Sequence, residues 1–436
     1  MSHSGEDRLW AGERRSHSAL IGTLRTADGR ERAIPRPRLG RAHSLPARFP
    51  AMGRSLIALS LAVLAVVAVL AAGCSASHVT TTRSSTTRSS TPSTTTSSPE
   101  DRYFSAPLSA PGLQPGSDPS ALPSPVLIAD RTNNRLLVVN QRGEIVWEFP
   151  RPGDLAPGQT FLVPDDAFFT PDGREIVVTQ EDDFVISIID VATHRIVYRY
   201  GTPGQPGSGP NQVHNPDDAM QLPDGYLIAA DIKNCRLLLI APGAHTPAQV
   251  FGETTNSCLH DPPTRWGSPN GAFAMSNGHY VVTEINGDWV DELGLDGAIY
   301  RSAHPPGVNY PSDTNEMSPG VLVTVDYSNP GTLETFDWSG NLLWRYHPLP
   351  GDSQLNHPSL ALALPNGDFL MNDDYNDRVV VIDPRSDRIV WQYGYTGQAG
   401  TAPGFLNRPD GVDLVPPYSF DIIRAKTMGQ PTTTTP

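Results

Sequence analysis

A repeat of about fifty residues is the feature that most constrains how this chain can fold. Each unit opens with a proline, which is followed by small or acidic residues and then by an apolar stretch. Successive openers lie 52, 53, 42, 47 and 51 residues apart. The openers begin at Pro164, Pro216, Pro269, Pro311, Pro358 and Pro409. A period of this length indicates a solenoid or a propeller, in which each unit is one small supersecondary structure.

Four short apolar stretches follow one another within a unit, separated by turns. The turns at 171–173 and 223–225 both read Pro-Asp-Gly, which supplies the residues that hairpins need. The 38 glycines, the 43 prolines and the 18% of charged residues suit short strands and turns rather than coiled coils. Six such units predict an all-β fold, a six-bladed β-propeller with four antiparallel strands per blade.

The two ends of the repeat complement each other. Residues 124–150 contain strands two to four of a unit but lack an opener strand, whereas 409–417 contain an opener strand with nothing after it. We therefore expect the C-terminal strand to complete the first blade and close the ring, which removes open sheet edges. The propeller should span residues 123–419 and be a monomer.

An Asp-x-x-Asn-x-Arg element recurs in three units, at 130–135, 231–236 and 373–378. Its Asp can accept turn N–H bonds, its Asn tolerates a left-handed backbone, and its Arg can pair with a neighbouring blade. One active site needs only one copy of a motif. Three copies therefore indicate a scaffold role.

These elements together resemble NHL repeats, and the Ile-Val-Trp-x-(Phe/Tyr) strand is also similar to PQQ-type and arylsulfotransferase-like propellers. The resemblance covers residues 124–417. It implies the propeller fold but no single function, because propellers carry many functions. Six units argue against a quinoprotein dehydrogenase, since the ring of that family resembles eight blades.

The openers should meet at the mouth of the central channel. In a four-stranded blade, the loop that leads into the first strand and the turn between strands two and three lie on one face, the top face. The inter-blade loops on this face are long, which favours a functional role. Side chains able to hold a metal would come from Asp166, Asp218, Asp313, Asp410 and Asn270.

A ring of carboxylates attracts a hard cation, Ca²⁺ or another divalent metal. Several six-bladed propellers that the chain resembles hold a metal at this place. The favoured interpretation is turn chemistry, in which Asp and Asn side chains satisfy backbone N–H groups at the strand starts, and the cation site is the alternative. Both interpretations remain open at this stage.

The histidines carry no metal-binding spacing, and no nucleotide-binding or hydrolase motif is present. Five histidines lie in or beside inter-blade loops and could converge, namely His214, His260, His304, His347 and His357. The favoured interpretation is a module that binds a protein or a small molecule on its top face. The alternative is a metal-assisted lyase, hydrolase or sulfotransferase with its site at the channel mouth.

The N-terminal part of the sequence predicts a targeting or anchoring segment rather than a folded domain. An apolar run from Leu56 to Ala72 follows Arg54 and ends at Cys74. It resembles a bacterial lipoprotein signal with Cys74 as the lipidated residue, and the alternative is an uncleaved membrane anchor. Either way, the rest of the chain is expected outside the cytoplasm, anchored to the membrane.

The flanking segments follow from composition. Residues 1–51 are expected to be disordered or an over-extended gene model, 52–73 the signal or anchor, and 74–122 a linker rich in Ser, Thr and Pro. A disordered tail is expected over 420–436. Residues 100–436 carry 19 basic and 41 acidic residues, a net charge of −22, so we expect no nucleic-acid partner.

Two cysteines remain once Cys74 is assigned to lipid. Cys235 lies in a turn between strands two and three, and Cys258 lies in the next inter-blade loop. Both should lie on the top face, so an oxidising compartment predicts a disulfide between them. Two free thiols are the alternative.

Overall fold

The computed structural model describes residues 110–427, which form six four-stranded antiparallel sheets arranged as a ring of blades. The predicted fold class is therefore confirmed. The predictions for 1–51, 52–73, Cys74 and most of the linker lie outside the described residues. Within residues 110–427, no helix combines the length and apolarity that a membrane crossing requires.

The strands follow the repeat. Blade one contains β1 (Val126–Asp130), β2 (Arg135–Val139), β3 (Ile145–Phe149) and β24 (Pro409–Leu414). Blade two contains β4 (Pro164–Phe169), β5 (Glu175–Gln180), β6 (Val185–Asp190) and β7 (Arg195–Gly201). Blade three contains β8 (Pro216–Gln221), β9 (Leu227–Asp231), β10 (Arg236–Ile240) and β11 (Pro247–Phe251).

The remaining blades are built in the same way. Blade four contains β12 (Pro269–Ala274), β13 (Tyr280–Glu284), β14 (Trp289–Leu293) and β15 (Ile299–Ala303). Blade five contains β16 (Pro311–Ser318), β17 (Val321–Asp326), β18 (Thr332–Asp337) and β19 (Leu342–Arg345). Blade six contains β20 (Ala361–Ala363), β21 (Phe369–Asp373), β22 (Arg378–Asp383) and β23 (Arg388–Tyr393).

Strand β24 closes the ring, as predicted. It pairs antiparallel with β1, so that Val126 lies opposite Leu414 and Ile128 lies opposite Val412. The chain ends of the propeller are thus held in one sheet, and its first blade is made from both ends of the repeat. Closure leaves each sheet packed between two neighbours, with its apolar side chains buried on both faces.

A β-bulge follows the opener proline in five of the six blades described. In blade two, Pro164 lies opposite Gln180 and Ala167 lies opposite Val178, so one residue is extra on β4. A regular strand points consecutive side chains to opposite faces, and a bulge re-aims them. Asp165 and Asp166 are consecutive, yet both are buried around the channel.

The Asp-x-x-Asn-x-Arg elements form short 3₁₀ turns, Arg131–Asn133, Ile232–Asn234 and Asp374–Asn376, and a fourth such turn is Glu181–Asp183. The structure contradicts the prediction in two details, the position of the left-handed residue and the partner of the motif Arg. The left-handed residue is the one after the motif Asn, for example Asn134 with φ 55°. The motif Asn side chain instead bonds to the motif Asp and to a loop carbonyl, as Asn133 does to Asp130 and to the carbonyl of Gly400.

The motif Arg pairs with the Asp of its own motif rather than with a neighbouring blade. Arg378 donates from Nε to Asp373 Oδ2 at 2.7 Å and from Nη2 to the carbonyl of Gln354 at 3.0 Å. The other oxygen of Asp373 accepts the N–H of Asn356 at 2.7 Å. The motif therefore fastens each inter-blade loop to the top of its own blade.

The chain on either side of the propeller is more structured than composition indicated. Pro119–Ala121 is a 3₁₀ turn, and Ala121 and Leu122 are buried against blade six, so the last part of the expected linker belongs to the propeller. After β24 the chain forms α1 (Pro417–Thr427), which overlaps the expected disordered tail. Ile423 explains this helix, because it packs against blade one in the same core as Trp147.

Candidate functional site

Three buried carboxylates converge in the channel. Asp166, Asp218 and Asp313 each occupy the second position after an opener proline, and each is at most 2% exposed. One oxygen from each lies within 4.8 Å of an oxygen of the other two. The innermost strands β4, β8 and β16 therefore contribute one ligand-type atom each to a single small volume.

Glycines in two other blades make room for these carboxylates. Gly271 and Gly411 occupy the same position after their prolines. A Cβ atom on Gly271 would lie 2.0 Å from Asp218 Oδ2 and 2.7 Å from Asp313 Oδ1, and one on Gly411 would lie 2.7 Å from Asp166 Oδ1. The space that a side chain would fill is thus occupied by the acidic groups.

No protein cation compensates this carboxylate trio within the described residues. Asp166 Oδ1, both oxygens of Asp218 and Asp313 Oδ2 are buried without a hydrogen-bond donor there. Burial raises the pKa of Asp166 and Asp218 well above the ordinary range, and the charge of Asp313 raises both further. Burial also raises the pKa of Asp313 to about 7. The trio must therefore share protons or hold a cation.

The other two predicted ligands lie one position earlier along their strands. Asn270 donates from Nδ2 to Asp313 Oδ1 at 3.4 Å, so it contacts the trio. Asp410 instead accepts from Ser359 Oγ at 2.7 Å and lies 3.2 Å from the guanidinium of Arg131. The structure thus brings Asn270 to the predicted group and places Asp410 in a separate, upper layer.

Arg131 organises that upper layer. Its guanidinium contacts the carboxylates of Asp165 and Asp410, and it donates to Glu181 at 2.7 Å. Asp217 lies in the same acidic group. Arg131 was not predicted, although it directly follows the Asp of the first Asp-x-x-Asn-x-Arg element. The guanidinium partly compensates the charge of this layer, whereas the trio has no protein cation among the described residues, so the trio is the better cation site.

The five predicted histidines do not converge on the channel. His214 packs edge-on against Phe184, and His347 is exposed, with Nδ1 3.6 Å from Asp387. His357 packs on Tyr375 with ring centroids 4.3 Å apart. Two of the five share a neighbour, since His260 stacks on Trp289 and the ring of His304 packs against the same indole at an angle of 38°.

His260 lies over two buried carboxyl groups in blade four. Its Nδ1 is 2.9 Å from Glu284 Oε1 and 3.6 Å from Asp291 Oδ2. Burial raises the pKa of Glu284 to about 10, and the nearby charge of Asp291 contributes to the increase. Burial lowers the pKa of His260. Neither Glu284 nor Asp291 was predicted, because blade four lacks the motif that marks blades one, three and six.

The predicted disulfide is confirmed. Cys235 and Cys258 are bonded, with their Cα atoms 5.0 Å apart. Cys235 is the left-handed residue that ends a 3₁₀ turn of blade three, and Cys258 belongs to the loop before blade four. The bond therefore fixes the long 251–268 loop to the top face.

Partly buried aromatic side chains lie beside the channel on the top face. Tyr327 contacts His357 and Tyr375, and Arg408 lies over the ring of Tyr375 at 4.3 Å. Burial raises the pKa of Tyr327 well above its ordinary value, and the charges of Asp374 and Asp410 raise it further. This aromatic group therefore adjoins the acidic channel.

Comparison with known proteins found distant structural neighbours but no family. No known protein family matches this chain, and no curated protein sequence matches it. Among solved structures, a protein of unknown function from Bacteroides caccae is 17% identical, with a TM-score of 0.46 over 66% of this chain and 98% of that one. A streptogramin B lyase is 15% identical, with a TM-score of 0.46 over 70% and 93%. A chain of a nidogen/laminin complex is 14% identical, with a TM-score of 0.45 over 67% and 98%.

Proposed function

We propose that this chain is an extracytoplasmic, membrane-tethered β-propeller that acts as a binding module, with Ca²⁺ in its channel and a ligand on its top face. One observation supports the bound cation. Asp166, Asp218 and Asp313 are buried together, and no protein cation among the described residues compensates them. Burying uncompensated carboxylates is costly, and a bound divalent ion removes that cost.

Oxygen-only donors favour Ca²⁺ over a softer metal. The trio offers carboxylate oxygens alone, and Asn270 and Ser312 lie beside it with further polar groups. Ca²⁺ accepts six to eight oxygen ligands in flexible geometry, some of them water. A channel lined by separate strands suits that flexibility.

The top face supports binding rather than a catalytic constellation at the channel. The enzyme alternative required histidines that converge there with the aspartates. Instead, His260 and His304 meet at Trp289 in blade four, and the other three contact Phe184, Asp387 and Tyr375. Tyr327, Tyr375 and His357 form a partly exposed aromatic group next to the acidic channel mouth, with Arg408 over one of its rings. Such a surface suits a protein or small molecule with a ring-shaped or positively charged group. We also propose an NHL-like repeat, because the Asp-x-x-Asn-x-Arg element recurs in three blades.

The location is part of the proposal. The Cys235–Cys258 disulfide supports an oxidising compartment, as the signal-like segment ending at Cys74 requires. We expect Cys74 to be the mature N-terminal residue and to carry lipid. Mass spectrometry of membrane-extracted protein tests this, and an unmodified peptide that continues upstream of Cys74 would contradict the lipoprotein form.

The calcium site is tested by thermal unfolding of the purified chain, first stripped with a chelator and then supplied with CaCl₂. We expect Ca²⁺ to raise the melting temperature of the wild type and to have no effect on an Asp166→Asn/Asp218→Asn variant. Asp172→Asn/Asp224→Asn is the matched control, because both residues lie in exposed turns. A wild type that shows no response to Ca²⁺ would leave proton sharing as the explanation of the trio.

A further inference from the structure

Blade four departs from the scaffold motif in a way that exposes a second site. In blade three, Asp231 of the motif lies directly opposite Arg236 across the β9–β10 pair. In blade four, Glu284 lies opposite Trp289 across the β13–β14 pair, at the same place in the sheet. Glu284 therefore retains a buried carboxyl group, but the guanidinium that compensates the corresponding Asp in blades one, three and six is replaced by an indole.

In place of a guanidinium, the carboxyl group of Asp291 lies near that of Glu284. Asp291 lies two residues further along β14 on the same face, and both carboxyl groups are fully buried. Tyr280 and Val282, which share this face of β13, pack against blade three. The two carboxyl groups therefore lie in the interface between blades three and four.

Protein donors orient both carboxyl groups and leave one oxygen of each available. Glu284 Oε2 accepts the N–H of Gly267, and Asp291 Oδ1 accepts the hydroxyl of Ser302. Asp291 Oδ2 is buried without a hydrogen-bond partner among the described residues. Glu284 Oε1, Asp291 Oδ2 and His260 Nδ1 lie within 4.8 Å of one another. In metal sites, hydrogen-bond donors that bind the other oxygen of a ligating carboxylate orient the ligand atom in this way.

We propose that His260, Glu284 and Asp291 bind a divalent transition metal, with Zn²⁺ as the first choice, between blades three and four. One imidazole nitrogen with two carboxylate oxygens is a donor set that Zn²⁺ accepts, and three protein ligands leave a coordination position open. His260 is 22% exposed, so the site is reachable from the top face. This site differs in place and in donor chemistry from the all-oxygen channel site, and it does not rest on that proposal.

The fold holds His260 over the carboxyl pair from two sides. Its ring stacks on Trp289 with centroids 4.1 Å apart and planes 9° apart. Cys258, two residues earlier, is bonded to Cys235 of blade three. Gly267 must be a glycine, because a Cβ there would lie 2.6 Å from Glu284 Oε2 and 2.3 Å from the carbonyl of Asn286. These contacts preorganise the ligand atoms before any metal arrives.

The experiment is isothermal titration of the chelator-stripped full chain with ZnCl₂. It is carried out in an Asp166→Asn/Asp218→Asn background, so that the channel does not contribute. We expect one Zn²⁺ per chain, at least tenfold weaker binding after His260→Ala, and no change after His347→Ala, which removes an exposed histidine beside a carboxylate. Absorption spectra with CoCl₂ give a second readout, since Co²⁺ in a site of low coordination number shows visible bands that His260→Ala should abolish.

Two outcomes would overturn the proposal. One is the absence of stoichiometric Zn²⁺ binding in the channel-deficient background while its circular dichroism matches that of the wild type. The other is Zn²⁺ affinity and Co²⁺ spectra that His260→Ala leaves unchanged. In either case, Glu284 and Asp291 share a proton and His260 only caps them. A negative calcium result at the channel bears on neither outcome, so the two proposals fail separately.

Discussion

Arg236 and Asp231 form an ion pair that is almost completely buried at the top of blade three. The guanidinium Nε donates to Asp231 Oδ2 at 2.8 Å, and the side chains are 5% and 0% exposed. Asp231 Oδ1 accepts the N–H of His214, while the guanidinium also donates to Thr254 Oγ1 at 2.8 Å. One ion pair therefore joins the loop that leads into blade three to the loop that leaves it.

Removing one partner of this pair should destabilise the propeller strongly. We expect Arg236→Ala to lower the free energy of unfolding by about 3–5 kcal/mol, because it leaves Asp231 buried without its counter-charge. Arg236→Lys should cost less but not be neutral, since an ammonium cannot reproduce the forked donation. Denaturant-induced unfolding measures both changes. Arg388→Ala, at an exposed position of β23, is the control, and equal effects at the two sites would contradict the prediction.

Much of the architecture was predictable because the repeat is regular. The opener prolines gave the number of blades, and the incomplete units at 124–150 and 409–417 gave the closure by β24. The disulfide was also predictable, since loop alternation places Cys235 and Cys258 on one face. What sequence reasoning could not supply was the bulge that follows five of the six openers. Without it, Asp410 and Asp313 could not be assigned to different layers.

The second candidate site was hidden for a related reason. Glu284 aligns with the motif Asp only when the pairing of β13 with β14 is known, because blade four has no Asn or Arg to mark the register. Asp291 is an ordinary strand residue in sequence. The helix α1 was not predicted because its apolar contacts are few. The packing of residues such as Ile423 against blade one is evident only in the structure. The channel group, in contrast, could have been found from the sequence. An alignment of the six openers shows the double aspartates and the glycines that follow the prolines.

Asp413 should make the folded protein less stable at neutral pH than in acid. Its carboxylate accepts the N–H of Phe169 in blade two at 2.8 Å, and burial raises its pKa from 3.8 to about 7. A raised pKa means that the folded state binds the proton more tightly than the unfolded chain. The contribution to stability is therefore complete below about pH 4 and is lost as the pH rises through about 7.

Melting temperatures at pH 5 and pH 8, in chelator, measure this effect. We expect Asp413→Asn to lose less stability than the wild type over that range, because the amide does not ionise. Asp421→Asn, which changes an exposed residue of α1, should keep the pH dependence of the wild type. Parallel pH profiles for the wild type and Asp413→Asn would show that Asp413 is already ionised in acid.

Reduction of the disulfide should loosen the 251–268 loop and destabilise the fold. The bond closes a loop of 23 residues, for which the chain-entropy argument gives about 3 kcal/mol. We expect dithiothreitol to lower the unfolding midpoint of the wild type and to leave a Cys235→Ser/Cys258→Ser variant unchanged. Thiol labelling of the denatured, unreduced chain provides the check, and two reactive thiols from Cys235 and Cys258 would contradict the bond in the native protein.

The glycine at 271 should be essential for the channel although it carries no functional group. A methyl group there would lie 2.0 Å from Asp218 Oδ2, which real contacts do not permit, so Asp218 must move out of the trio. We expect Gly271→Ala to lower the melting temperature and to abolish the increase that Ca²⁺ produces. Gly209→Ala is the matched control, because its new methyl group would meet only the end of the flexible Gln212 side chain, at 3.0 Å. A Gly271→Ala variant that retains the full calcium response would mean that Asp218 is not a ligand, and Asp166 and Asp313 alone would then have to account for any bound ion.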